Sequence, residues 1–184
     1  MLKFIFGRDT KPYLQKTLLF IKCNCYNELE RMKKIMKVYL AGALFNEAEI
    51  AQRLKEGKLL KERFPQLSIF NPIEQPFNEH KEKLPTPQEI FYADTKAVRE
   101  CDIFIADLTN EDAGVMVELG IAIERKVPII IGINSDIRMI SANQYEIPTY
   151  GMNHYVLGGL LEHGYFVRSF QEAMEQLEVL LEKK

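Results

Sequence analysis

The pattern of apolar and polar positions changes character at Met36. Before it, Met1 to Ile35 mixes aromatics, Lys and Cys with no clean period, whereas MKVYLAGALF opens with a compact run of β type. The first stretch therefore reads as an N-terminal extension or as translation from a start upstream of the usual one, in preference to a docking arm, and residues 36–184 read as one domain. Asn46 to Phe64 places Ile50, Leu54, Leu59, Leu60 and Phe64 on a rough helical stripe that Pro65 ends. LSIFN at Leu67 to Asn71 predicts a short strand, followed by a Pro-rich loop to Pro87. Thr86 and Pro87 open a helix to about Glu100, with Pro in the first turn where its missing N–H costs little.

DIFIADL then predicts a strand, GVMVELGIAIERK a helix and VPIIIGI another strand. Strands that are apolar throughout, alternating with helices, predict a parallel sheet covered on both faces. The Asn134 to Gly151 loop is long for an α/β connection and is expected to border a functional site. A short helix around Met152 to Glu162, a strand at Tyr165 to Val167 and a final amphipathic helix from Ser169 complete the layout. The expected fold is α/β and doubly wound, a five-stranded parallel sheet flanked by helices, flavodoxin-like or Rossmann-like.

Composition narrows the class. With 184 residues, 47% of them hydrophobic and 27% charged, the chain can bury one sizeable core but not two. A net charge of −2 gives no general pull toward nucleic acid or an anionic membrane. Three cysteines, with one residue between Cys23 and Cys25, fit reduced thiols in the cytoplasm better than a zinc or redox motif. The apolar run Thr17 to Ile21 is too short for a membrane span. The first-strand exit, AGALFN, lacks G-x-G-x-x-G and any Walker A pattern, and His80, His154 and His163 have no metal-site spacing. The expectation is no metal and no cofactor.

Ligands of open parallel sheets bind beyond the carboxyl ends of the strands, which brings AGALFN, the stretch from Asp107 to Gly114 and the exit after Ile133 to one crevice. Two carboxylates there interrupt apolar helical faces. Asp94 lies four residues from both Ile90 and Val98, on the face expected to point inward. Glu118 is the one charge between Val115 and Ile123. Burying an unpaired carboxylate is costly, so such groups are either capped by donors or kept for chemistry. Nearness to its helix N-terminus is expected to favour ionised Glu118, as suits a nucleophile. Asp112 reads equally as an N-cap or a ligand-binding group. Tyr39 on the first strand needs a buried partner for its hydroxyl, and a crevice carboxylate would serve. Asp107 would be the phospho-acceptor of a receiver domain, but AGALFN supplies no acidic pair for magnesium.

At these residues the chain resembles the nucleoside 2-deoxyribosyltransferases. VYLAGALFN at Val38 to Asn46 is similar to their first strand and exit, DTKAVRECDIFIADL at Asp94 to Leu108 to their acidic helix and third strand, and DAGVMVELGIAIERKVPIII at Asp112 to Ile131 to their nucleophile helix and following strand. The resemblance runs from about Met36 to the C-terminus. It implies exchange of bases between 2′-deoxynucleosides and free nucleobases by a retaining double displacement, with Glu118 as nucleophile and Asp94 handling the proton on the base. It further implies that Asp112 binds sugar hydroxyls, that Tyr39 orients Glu118, and that Asn153 reaches a neighbouring subunit's site in a homo-oligomer. Some members also use a C-terminal carboxylate. This chain ends in Lys183 and Lys184, so a side chain from the Asn134 to Gly151 loop or near Asn153 is expected to serve instead. The alternatives are a 2′-deoxynucleoside 5′-monophosphate N-glycosidase, which needs Ser or Arg donors that AGALFN lacks, and a non-catalytic nucleoside-binding domain.

Overall fold

Alternation along the strands decides which helix covers which face of the sheet. In the computed structural model residues 35–76, 85–138 and 151–183 are described. The chain divides into Met1–Ile35 and Met36–Lys184, and all secondary structure among the described residues belongs to the second unit. The expected N-terminal extension thus lies outside the described residues, apart from Ile35.

The elements in chain order are β1 (Lys37–Ala41), α1 (Glu47–Arg63), β2 (Ser68–Phe70), a 3-10 turn (Pro72–Glu74), α2 (Pro87–Glu100), β3 (Ile103–Asp107), α3 (Ala113–Glu124), β4 (Ile129–Ile133), α4 (His154–His163), β5 (Tyr165–Val167) and α5 (Phe170–Glu182). All four strand pairings are parallel, in the order β2-β1-β3-β4-β5. That is the doubly wound α/β sheet expected from the sequence.

Val38, Leu40, Ile103, Ile105, Ile129, Ile131 and Ile133 pack with Leu60 of α1 and with Phe170, Ala173, Met174 and Leu177 of α5 on one face. Tyr39, Ala41, Phe104, Ala106 and Ile130 face Val98 of α2, Val115, Leu119 and Ala122 of α3, and Leu160 of α4 on the other. The register Ala41↔Ala106 and Asp107↔Ile133 brings the exits of β1, β3 and β4 side by side, as a crevice requires. Each helix starts on its own cap. Asn46 accepts from Ala48 and Glu49, Thr86 and Glu89 form a capping box, and Ser169 accepts from Glu172.

The helical stripe of α1 is the one expected only at its end, where Leu60 and Phe64 are buried and Leu59 packs on the core. Leu54 is 45% exposed, and the buried residues are Arg53, Glu56, Gly57 and Leu60. Leu60 lies seven residues from Arg53 and four from Glu56, so a guanidinium and a carboxylate share its inward face. Arg53 passes so close to the β1 exit that a Cβ on Gly42 would sit 1.8 Å from its Nη1. Glycine at that position is what admits the arginine.

The middle of the long loop, residues 139–150, lies outside the described residues, but its two ends are fixed together. Asn134 is fully buried, donates from Nδ2 to the Gly151 carbonyl at 2.9 Å, and donates its backbone N–H to Val167.

Candidate active site

Tyr39 sits in the middle of a cross-strand aromatic ladder. Its register partners are Phe70 on β2 and Phe104 on β3, and its ring stacks on theirs at centroid distances of 5.4 and 5.7 Å, inclined by 13° and 6°. The residue is fully buried, so the ring has one orientation and its hydroxyl one direction. That direction is toward α3, where the hydroxyl donates to Glu118 Oε1 at 2.6 Å. Burial, together with the negative charges of Glu118 and Asp94, pushes the phenol far above its ordinary pKa. Tyr39 therefore stays a donor.

Val115, Leu119 and Ala122 anchor α3 to the sheet, and Glu118 stands at the edge of that face, three and four residues from Val115 and Ala122. Its carboxyl is pushed up from 4.5 to about 7, first by burial and then by the Asp94 and Asp112 carboxylates, while the Tyr39 hydrogen bond pulls it down. The expectation that the helix N-terminus would keep Glu118 ionised is thus overturned. Loss of water outweighs the dipole, which acts over a turn and is weak beside desolvation.

Asp94 is half-buried on α2, and its Oδ1 is fully buried with no hydrogen-bond partner. Burial raises its carboxyl from 3.8 to about 6. The inward face does not extend back to Ile90, which is 39% exposed, and it is completed by Thr95 and Val98 instead. Asp112 caps α3 by accepting from Val115 N at 3.0 Å, and its charge is felt at Glu118. Both roles considered for Asp112 are therefore compatible.

Asn153 is exposed and separate from the Tyr39–Glu118 pair. Its side chain accepts from Tyr155 N and Val156 N, capping α4, while its own N–H donates to Glu111 Oε1 at 2.5 Å. Four of the five site residues read from the sequence, Tyr39, Asp94, Asp112 and Glu118, form one electrostatic cluster.

Sequence reasoning missed a second polar cluster beneath the strand exits. Arg53 Nη2 donates to Glu56 Oε1 at 3.1 Å and to Asp107 Oδ2 at 2.9 Å, and Nη1 donates to the Ala41 carbonyl. Asn71, fully buried, donates to the Arg53 carbonyl. Burial raises the Glu56 carboxyl to about 7 against the pull of Arg53. Asp107 also accepts from Thr109 N, so it is a strut between the exits of β1 and β3. The signal available in the sequence was spacing, seven and four residues ahead of Leu60.

Tyr39→Phe keeps the aromatic ladder and deletes the hydroxyl. The Glu118 carboxyl should then titrate above the about 7 of the parent protein, because the group that lowers its pKa is gone. Side-chain carbon NMR across the pH range measures this directly; an unchanged midpoint would remove Tyr39 from control of Glu118.

The sequence model of a family described as nucleoside 2-deoxyribosyltransferase matches residues 38–176. An uncharacterized protein of Ureaplasma parvum serovar 3 is 32% identical over 168 residues, covering 83% of this chain and all of that protein. A conserved protein of Enterococcus faecalis V583 superposes with a TM-score of 0.67 at 22% identity, over 79% of this chain and 98% of its own. The 2-deoxyribosyltransferase of Leishmania mexicana gives 0.53 at 22% identity, over 77% and 95% of the two chains. A CMP N-glycosidase of Clostridium botulinum gives 0.50 at 19% identity, over 78% and 98%. At these identities the structures speak for the fold, which hosts both transferases and an N-glycosidase.

Proposed function

The chain belongs to the nucleoside 2-deoxyribosyltransferase family, and from that premise we propose that it exchanges the base of a 2′-deoxynucleoside for a free purine or pyrimidine, a reaction of nucleoside salvage. The observation that carries this reading is the pairing of two half-buried carboxyls of different character. Glu118 is aimed by Tyr39 at 2.6 Å, whereas Asp94 keeps one oxygen buried and unpartnered. One group is held as a nucleophile and the other is free to meet a base.

In the first step a Glu118 oxygen forms a bond to C1′ and the C1′–N bond breaks, its electron pair passing to the base. Protonated Asp94 delivers its proton to that base and becomes a carboxylate. In the second step a nitrogen of the incoming base attacks C1′ from the opposite side, the ester bond returns its pair to Glu118, and Asp94 recovers a proton from the new base. Two displacements at one carbon retain configuration, as in retaining glycosidases. Asp112, and Asn153 from a neighbouring subunit, hold the sugar.

Two features favour a neutral nucleoside over a nucleotide. The segment Gly42 to Asn46 carries no cationic side chain, and Arg53, the cation at the β1 exit, is 2% exposed and engaged by Glu56 and Asp107. Asp94, Asp112 and Glu118 would repel a phosphate. For assembly, a groove of about 590 Å³ between α3 and α4, lined by Met116, Gly120, Ile123 and Tyr155, offers apolar surface to a second subunit beside the α4 cap formed by Asn153.

The test is incubation of the purified protein with deoxyinosine or thymidine plus adenine, followed by chromatography. Deoxyadenosine is the expected product. Free deoxyribose alone would mean a hydrolase, and no turnover a binding domain; either result sinks the proposal.

A further inference from the structure

Among the described residues two non-glycine positions have positive φ, Glu111 at 48° and Lys126 at 52°. Lys126 follows the C-terminus of α3, where left-handed residues are a normal way to end a helix. Glu111 closes the turn that begins at Leu108, its N–H donating to the Leu108 carbonyl at 3.2 Å. It lies in the loop between β3 and α3, immediately before Asp112, in a conformation that glycine or asparagine adopts more readily than glutamate.

What Glu111 adds is a side chain with reach. Its Oε1 accepts the Asn153 N–H at 2.5 Å, across 42 residues of sequence, at the point where α4 begins. A carboxylate on a backbone N–H at a helix N-terminus is a charge-assisted bond in the favourable direction of the dipole. Its neighbour Asp112 is fixed to α3 through Val115, and Asn153 is fixed to α4 through Tyr155 and Val156. The bond therefore joins the segment that carries Asp112 to the segment that carries Asn153.

We propose that Glu111 is a positioning residue that locks the Asp112 loop to the start of α4, so that Asp112 is held for the sugar of its own site and Asn153 for that of the neighbouring subunit. The inference rests on the reading that those two residues bind the sugar. Glu111 touches no reacting atom, and its effect is on binding.

Two variants test it. Glu111→Gly relieves the left-handed backbone and removes the lock, whereas Glu111→Gln keeps an acceptor oxygen at the same reach. In the exchange assay the glycine variant should show KM for the deoxynucleoside raised about 10-fold with kcat little changed, since a uniform binding interaction is lost. Its thermal midpoint should not fall, and amide hydrogen exchange at Asn153 should quicken. The glutamine variant should restore KM and Asn153 protection to near the parent values. Unchanged KM and unchanged Asn153 exchange in Glu111→Gly would overturn the inference, as would a loss confined to kcat or a glutamine variant as impaired as the glycine one. If the parent protein exchanges no base, the reading of the site fails instead, and hydrogen exchange at Asn153 still decides the lock: faster exchange in Glu111→Gly upholds it and equal exchange refutes it.

Discussion

Glu118→Ala should lower base exchange by about 10⁴-fold or more while leaving the fold intact, because removal of a covalent nucleophile leaves only binding and proton transfer to act. The parent protein, given a deoxynucleoside and no acceptor base, should gain the mass of one deoxyribosyl group on the peptide that carries Glu118, and the variant should not. A well-folded variant with near-normal turnover would end the assignment. The companion Glu118→Gln separates chemistry from stability. The folded-state pKa of Glu118 is raised from 4.5 to about 7, so the group costs the fold stability as pH climbs between those values, and the full cost is present above about 7. Glutamine keeps the Tyr39 acceptor without the charge. It should therefore raise stability to denaturant at pH 8 by on the order of 2 kcal/mol while being as inactive as alanine.

Asp94→Asn should cost about 10²- to 10⁴-fold in kcat/KM, the usual range for a general acid–base group. Its signature is in the pH profile. The reactive form needs ionised Glu118 and protonated Asp94; with pKa values of about 7 and about 6 the single proton rests mostly on Glu118, so the reactive form is the minor of the two singly protonated states. The parent profile should be a bell with its maximum between those values, falling on the acid side when both are protonated and on the basic side when neither is. Asparagine cannot lose a proton, so the basic limb should vanish and the residual rate should rise with pH to a plateau. A variant that keeps the full bell would place the proton on another group.

The two carboxylates central to these predictions were legible because each breaks an apolar pattern. Between Val115 and Ile123 of α3 a single charge among Val, Met, Leu and Ile has nothing to hide behind, and its misplacement shows in one dimension. Arg53 and Glu56 escaped for the converse reason. The sequence of α1, EAEIAQRLKEGKLLKER, is so rich in charge that a buried pair has no contrast with its solvated neighbours. Ile90 was placed on the inward face because periodicity reports direction around a helix axis and not how far the opposing surface extends. Ile90, Phe91 and Tyr92, in the first turns of α2, are all exposed. That the sheet is parallel and covered on both faces was legible for a different reason, since strands apolar throughout belong to the interior of such a sheet. The pKa balance at Glu118 was not, because desolvation depends on every atom packed around the group and leaves no trace in local spacing.

Asn134 closes a ring of chain. By donating to the Gly151 carbonyl, 17 residues on, it brings the two feet of the intervening segment to one place on the scaffold, independently of what lies between them. The exit of β4 and the approach to α4 are therefore tied by one buried amide, and an error in either would be felt at the other.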